Sequence, residues 1–211
     1  MNLPVVVIGA GGHARVIIDA LQRDGRTVTG AVDRDKATWH TMIAGVPVLG
    51  GDDWIDVEDR LALELVIGIG FLGLHSTRRD VFDKFKALGF RFSPVIDPSA
   101  TITGAVEIGE GAQVLAGCVV QPSTRIGRNT ILNTRALADH DCDIGAHAHI
   151  APGAVLCGNV HVGDETLIGA GATVLQSVSV GRNCVVAAGA AVTQNVPDGS
   201  RVAGVPAKPL V

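Results

Sequence analysis

The chain has no tyrosine, and its five phenylalanines and two tryptophans bring the aromatic content to only 3%. Aromatic side chains normally supply much of the bulk of a compact core. A large part of this core must therefore be thin, regular and aliphatic. Positive charge is not in surplus either: 17 Lys and Arg against 21 Asp and Glu give a net charge of −4. With no local basic cluster, nucleic acid is not an expected partner. Long apolar runs are missing. The longest, Leu65 to Leu74, carries three glycines and is about half the length of a membrane-spanning helix, so no membrane insertion is expected. The N-terminus lacks a basic, apolar leader with a cleavage site, which makes a cytoplasmic location the expectation. The four cysteines, Cys118, Cys142, Cys157 and Cys184, form no CxxC pair, which fits reduced, buried thiols better than a disulfide framework.

Present instead is a strict period. From Ile96 to Val192, every sixth residue is Ile, Leu or Val except Ala138, and four residues after each comes a mostly small side chain such as Ala112, Thr130, Cys142 or Ala154. Seventeen hexads run in one frame without an insertion. Such a period, with one aliphatic and one small inward position, predicts a parallel β-helix whose coils stack like side chains on like. Three hexads per coil would place residues eighteen apart one strand spacing from each other, roughly 4.8 Å. The cysteines are expected in the small inward column, where a thiol behaves as a small hydrophobe.

Composition changes near Ser93-Pro94, which predicts an α/β unit over residues 1–93 and a β-helical unit with a C-terminal tail over 94–211. In the first, Pro4 to Ile8 reads as a buried strand and Gly9-Ala-Gly-Gly-His-Ala14 as a turn into an amphipathic helix through Val16, Ile17, Ala20 and Leu21. Gly9, Gly11 and Ala14 fit the G-x-G-x-x-G/A form, whose backbone N–H groups and helix N-terminus can approach phosphate oxygens. Glycine turns also serve plain strand-to-helix packing, so spacing alone leaves both readings open. A second strand, Thr27 to Val32, ends at Asp33, near where a dinucleotide fold places its ribose-binding acid. A third, Leu63 to Ile69, ends at Gly70. Roughly ninety residues supply half of a Rossmann fold, room for one nucleotide.

The glycine turn with His13, the unbroken hexads and the terminal Gly204-Val-Pro-Ala-Lys208 together resemble the bacterial sugar acyltransferases of the sialic acid O-acetyltransferase type. Within that family the chain is most similar to N-acetyltransferases acting on nucleotide-linked 4-amino-4,6-dideoxy sugars, as in bacillosamine and perosamine biosynthesis. The resemblance implies a small Rossmann-like N-terminal domain, a left-handed β-helix, a homotrimer, acetyl-CoA as co-substrate and no metal. It carries a catalytic base onto His140 in Asn133-(x)6-His140-Asp141, with Asp141 orienting the imidazole and raising its basicity. It places CoA contacts at His149, Gly158, Ala170 and Ala188. Substrate contacts fall at Gly11, Gly12 and His13 for a diphosphate, at Asp33 and Arg34 for the nucleoside end, and at Gly70 and Asn133. Gly158 also follows from the frame, since it lies eighteen residues after His140 and its bare backbone can approach a thioester carbonyl closely. Phe71, where relatives often have a polar residue, leaves the base and sugar preference open.

Three other readings remain on the page. Sugar O-acetylation would use the same base. A metal enzyme like the γ-type carbonic anhydrases shares the prism, but His140, His147 and His149 occupy third, fourth and sixth hexad positions and do not obviously converge on one ion. His147 and His161 are expected as exposed residues. An NAD-dependent oxidoreductase rests on the glycine turn alone.

Overall fold

A computed structural model describes residues 3–56, 58–70 and 77–210. Phe71 therefore lies outside the described residues. The chain divides into two compact units, Met1–Pro98 and Ser99–Val211.

The first unit is a five-stranded sheet built from β1 (Val5–Ile8), β2 (Val28–Val32), β3 (Met42–Ile43), β4 (Val46–Gly50) and β5 (Glu64–Ile67), in the order β3-β4-β2-β1-β5. β1 pairs in parallel with β2 and β5, and its four apolar residues are all buried, as a central strand covered on both faces requires. Helix α1 (Gly12–Arg23) follows directly. Its buried residues are Ala14, Ile17, Ile18, Ala20 and Leu21, which include three of the four expected, whereas Val16 is 41% exposed. The i, i+3, i+4, i+7 spacing therefore starts at Ala14, which corrects the face expected from Val16. α2 (Asp52–Asp56) and α3 (Thr77–Ala87) complete the unit.

The antiparallel β3–β4 hairpin was not legible in the sequence. Its two turn residues, Ala44 at φ 46° and Gly45 at φ 81°, both lie in the left-handed region, which a two-residue hairpin favours. An alanine in the place usually held by Asn or Asp hides the signal. Phe82, Phe85, Phe90 and Phe92 all pack in the core of this unit, with Phe82 and Phe92 stacked at 4.5 Å between ring centroids.

The second unit contains no aromatic residue. It is a left-handed parallel β-helix whose two-residue strands form three faces. The first face carries Thr101–Ile102, Val119–Val120, Leu137–Ala138, Val155–Leu156, Thr173–Val174 and Ala191–Val192. The second runs from Glu107–Ile108 through Asp143–Ile144 to Ser179–Val180, and the third from Gln113–Val114 through His149–Ile150 to Val185–Val186. Every coil-to-coil pairing among these strands joins residues eighteen apart, for example Leu137↔Val155 and Ile131↔His149. The aliphatic and small columns fill one core from Ala112 to Val202. At the end of the chain, Arg201–Ala203 extends the third face and Lys208–Pro209 folds back antiparallel to it.

Three details depart from the frame. Ile96, its first member, is 38% exposed, and Ile102 and Ile108 are only partly covered, since an end coil has a neighbour on one side only. Cys118, Cys142 and Cys184 are buried, but Cys157 is not. It follows the inward Leu156 by one residue and so leaves the small column. Burial pushes the Cys142 thiol up to about 11, which keeps it protonated and unreactive. His147, expected on the surface, is 9% exposed and bonded through Nδ1 to the Asn129 amide at 2.9 Å.

The corners obey a rule the composition did not announce. The fourth residue of each hexad from Gly111 to Gly189 has a positive φ near 60°, including Arg135, Asp141, His147 and Glu165. A side chain in that region costs about 1 kcal/mol, and the continuous ladder on either side enforces it.

Candidate active site

His140 and Asp141 stand on the edge between the first and second faces. The left-handed backbone of Asp141, φ 60°, turns its carboxylate back onto the preceding ring, where His140 Nδ1–H donates to Asp141 Oδ2 at 2.8 Å. The His140 N–H donates to Asp139 Oδ1 at 2.8 Å. Committing Nδ1 as donor leaves Nε2 with a free lone pair, the tautomer a general base requires. The hydrogen bond to Asp141 raises the imidazole above its ordinary value of 6.5, with Asp139 adding a smaller charge effect in the same direction. The ring is half exposed, so it exchanges protons readily with solvent or substrate.

Gly158 packs on that ring from the next coil. A Cβ added to it would sit 2.5 Å from Nε2 and 2.6 Å from Cε1 of His140, so no other residue fits without displacing the imidazole. Its backbone has a second property. The N–H at the third hexad position lies outside the ladder, and a polar residue just before it can cap it. Asp139 does so for His140 and Asn133 for Thr134, each at 2.8 Å. Cys157, Gly169 and Ala187 stand in the corresponding places before Gly158, Ala170 and Ala188. These three N–H groups consequently meet no acceptor among the described residues. They are open donors.

The expected contacts do not all meet on one edge. Ala170 and Ala188 lie on the edge between the third and first faces, with Asn133 and His149 leading into it. Asn133 is bonded to His149, Nδ2 donating to Nε2 at 3.2 Å, while its Oδ1 accepts from Thr134 N. Within one chain this edge is separated from His140 by the first face, six residues or about 20 Å wide. His147 belongs to the remaining edge. The three histidines of the metal reading are thus dispersed, and among the described residues no three His, Cys, Asp or Glu side chains are placed to hold a metal ion.

In the first unit a cleft of about 150 Å3 opens at the ends of β1 and β2, lined by Gly9, Asp33, Arg34, Asp52, Ile69 and Thr77 among others. Gly11 caps α1 without a side-chain bond, and a helix N-terminus suits an anion. Gly70 lies against His13, with a virtual Cβ 3.6 Å from the histidine Cβ. Asp33 does more than end β2. Its Oδ2 accepts from Ala10 N at 2.6 Å and its Oδ1 from Asp35 N at 2.8 Å, which braces the glycine turn from inside. Arg34 reaches Asp52 at 3.6 Å, and Lys84 meets the same carboxylate at 3.1 Å. Asp52 and Thr77 were missed from the sequence, because neither stands in a motif and only tertiary packing brings them to the cleft.

A left-handed β-helix with an acid-supported histidine at one corner, and the open N–H of Gly158 beside it, fits a hexapeptide-repeat acyltransferase. Residues 160–194 match the hexapeptide repeat of succinyl-transferase, and residues 4–85 match the PglD N-terminal domain. The acetyltransferase domain of PglB from Neisseria gonorrhoeae FA1090 is 37% identical with a TM-score of 0.91, the match covering 99% of this chain and 100% of that one; it has also been solved with acetyl coenzyme A. A histidine-to-alanine variant of GDP-perosamine N-acetyl transferase from Caulobacter crescentus, in complex with CoA and GDP-perosamine, is 37% identical with a TM-score of 0.90, covering 99% of this chain and 97% of that one. WeeI from Acinetobacter baumannii AYE is 27% identical, with a TM-score of 0.86 and coverage of 99% and 100%. The chain belongs to this family of hexapeptide-repeat acetyltransferases with a PglD-type N-terminal domain.

Proposed function

We propose that the protein transfers acetyl from acetyl-CoA to the 4-amino group of a nucleotide-linked amino-dideoxy sugar, with His140 as the general base. The observation that carries this reading is the pairing of His140 with Asp141 on one side and with Gly158 on the other. His140 Nε2 takes a proton from the sugar amine as its nitrogen bonds to the acetyl carbonyl carbon. Gly158 N–H donates to the oxyanion that develops there. When the carbon–sulfur bond breaks, His140 returns the proton to the departing thiolate, so charge and protons balance. Asp141 holds the ring in the working tautomer and stabilises its protonated form. Ala170 and Ala188 offer small side chains and open N–H groups suited to the amides of a pantetheine arm, and His149, oriented by Asn133, is a further contact. Gly11, Gly12 and His13 would receive the diphosphate, with Asp33, Arg34 and Gly70 closing around the nucleoside.

A homotrimer belongs to the same proposal. The outward residues of the second face are charged or polar, such as Glu107, Arg125 and Asp143, whereas the first face presents Val119, Leu137 and Val155 and the third Leu167 and Val185. Burying the first and third faces between copies would let the His140 edge of one prism meet the Ala170–Ala188 edge of another. No helix among the described residues is long and apolar enough to cross a membrane. We place the enzyme in the cytoplasm, where acetyl-CoA is available.

The test is a panel of UDP-, GDP- and dTDP-linked 4-amino sugars and their 4-hydroxy counterparts, assayed with acetyl-CoA by thiol release. Transfer to one amino sugar at least about tenfold faster than to its hydroxyl analogue is expected. Faster transfer to the hydroxyl sugars would establish O-acetylation, and no thiol release with any acceptor would refute the proposal.

A further inference from the structure

Arg78, in the first turn of α3, is 3% exposed. Its Nη1 donates to the carbonyl oxygens of Ile67 at 3.1 Å and Ile69 at 2.8 Å, at the end of β5 and just beyond it. The segment it holds is a wall of the glycine turn. A Cβ on Gly9 would lie 3.0 Å from Ile69 Cγ1, and Gly68, between the two bonded carbonyls, packs against Ala14 of α1. Gly9, Ile69 and Thr77 line the same cleft as Asp33. Buried guanidinium groups are rare because their desolvation is costly. Burial pulls this one down to about 9, still charged at neutral pH. A positive charge held away from water acts on its surroundings with little screening.

We infer that Arg78 is a positioning residue for the nucleoside diphosphate part of the substrate. It ties the end of β5 to α3, so that Ile69 and Gly68 fix the glycine turn, and its buried charge favours a diphosphate at that turn over a neutral ligand. This rests on the nucleotide-sugar reading of the cleft. It adds a buried arginine that lies outside the turn and that no motif marks.

Calorimetric titration of the whole protein with UDP, GDP and dTDP, and with the three corresponding nucleosides, tests the inference. In Arg78→Met the preferred diphosphate should bind about tenfold or more weakly, while its nucleoside changes by less than about threefold. KM for acetyl-CoA should stay as in the wild type, and Arg78→Lys should recover most of the diphosphate affinity. Arg78→Gln, which keeps a donor for the Ile69 carbonyl without the charge, serves if Arg78→Met does not fold, and the same selective loss is expected. Equal weakening of nucleoside and diphosphate, or a lysine variant as weak as the neutral ones, would overturn the charge assignment. A wild-type protein that binds none of the three diphosphates would overturn the nucleotide reading and this inference with it.

Discussion

The two units fill their interiors by opposite means. All seven phenylalanines and tryptophans lie before residue 93, and the unit after it packs with none. In the β-helix a residue's neighbours follow from its place in an eighteen-residue repeat, so a position in the sequence is already a position in space. In the α/β unit no fixed interval sets the neighbours, which lie at separations as different as ten residues, where Phe82 stacks on Phe92, and twenty-three, where Asp33 holds Ala10. Chemistry placed on a periodic scaffold is therefore readable by counting, and chemistry placed on a packed one is not.

Breaking the frame should be costly at one residue and harmless at the next. Ile144→Ala removes a side chain that is 1% exposed and should destabilise by about 2–5 kcal/mol in thermal or denaturant unfolding. Asp143→Ala, one residue earlier, loses the exposed pair with Arg125 and a longer one, at 3.9 Å, with His161 and should cost at most about 1 kcal/mol. Similar costs at both positions would contradict the inward–outward alternation. At the corner the frame becomes chemical. Gly158→Ala pushes a methyl into the His140 ring and should lower kcat by about 10²- to 10³-fold, with the circular dichroism of the prism unchanged.

Smaller effects separate positioning from presence. With Asp141 in place, the acid limb of the pH–rate profile should lie above the ordinary imidazole value of 6.5, because the hydrogen bond raises the folded pKa. Activity is then lost as pH falls through that raised value. Asp141→Asn should move the limb to lower pH and reduce the plateau rate about tenfold, or about 1.4 kcal/mol; an unmoved limb would show that Asp141 does not set the basicity. In the α/β unit, Asp33→Asn weakens the brace on Ala10 N–H and should raise KM for the nucleotide sugar about fivefold, the equivalent of about 1 kcal/mol. KM for acetyl-CoA should not change, and parallel rises in both constants would mean a general loss of structure.

Legibility follows the same division. The family resemblance marked His140, and the eighteen-residue count then placed Gly158 beside it. The left-handed corners were not, since Arg135 and Glu165 carry no turn signal and adopt that conformation only because the coils above and below fix it. Nor did the count say that Asn133, expected as a substrate contact, would bond to His149. In the first unit the glycine turn and three strands could be read, but the role of Asp33 as a brace and the burial of Arg78 depend on contacts that follow no repeat, and the alanine in its turn hides the β3–β4 hairpin.

The account centres on His140 as the base of acyl transfer. Steady-state kinetics of His140→Asn with acetyl-CoA and the preferred nucleotide-linked amino sugar test it most directly. The account predicts an intact fold, a KM for acetyl-CoA close to that of the wild type and a kcat lower by about 10²- to 10⁴-fold. A variant that turns over at the wild-type rate would contradict it.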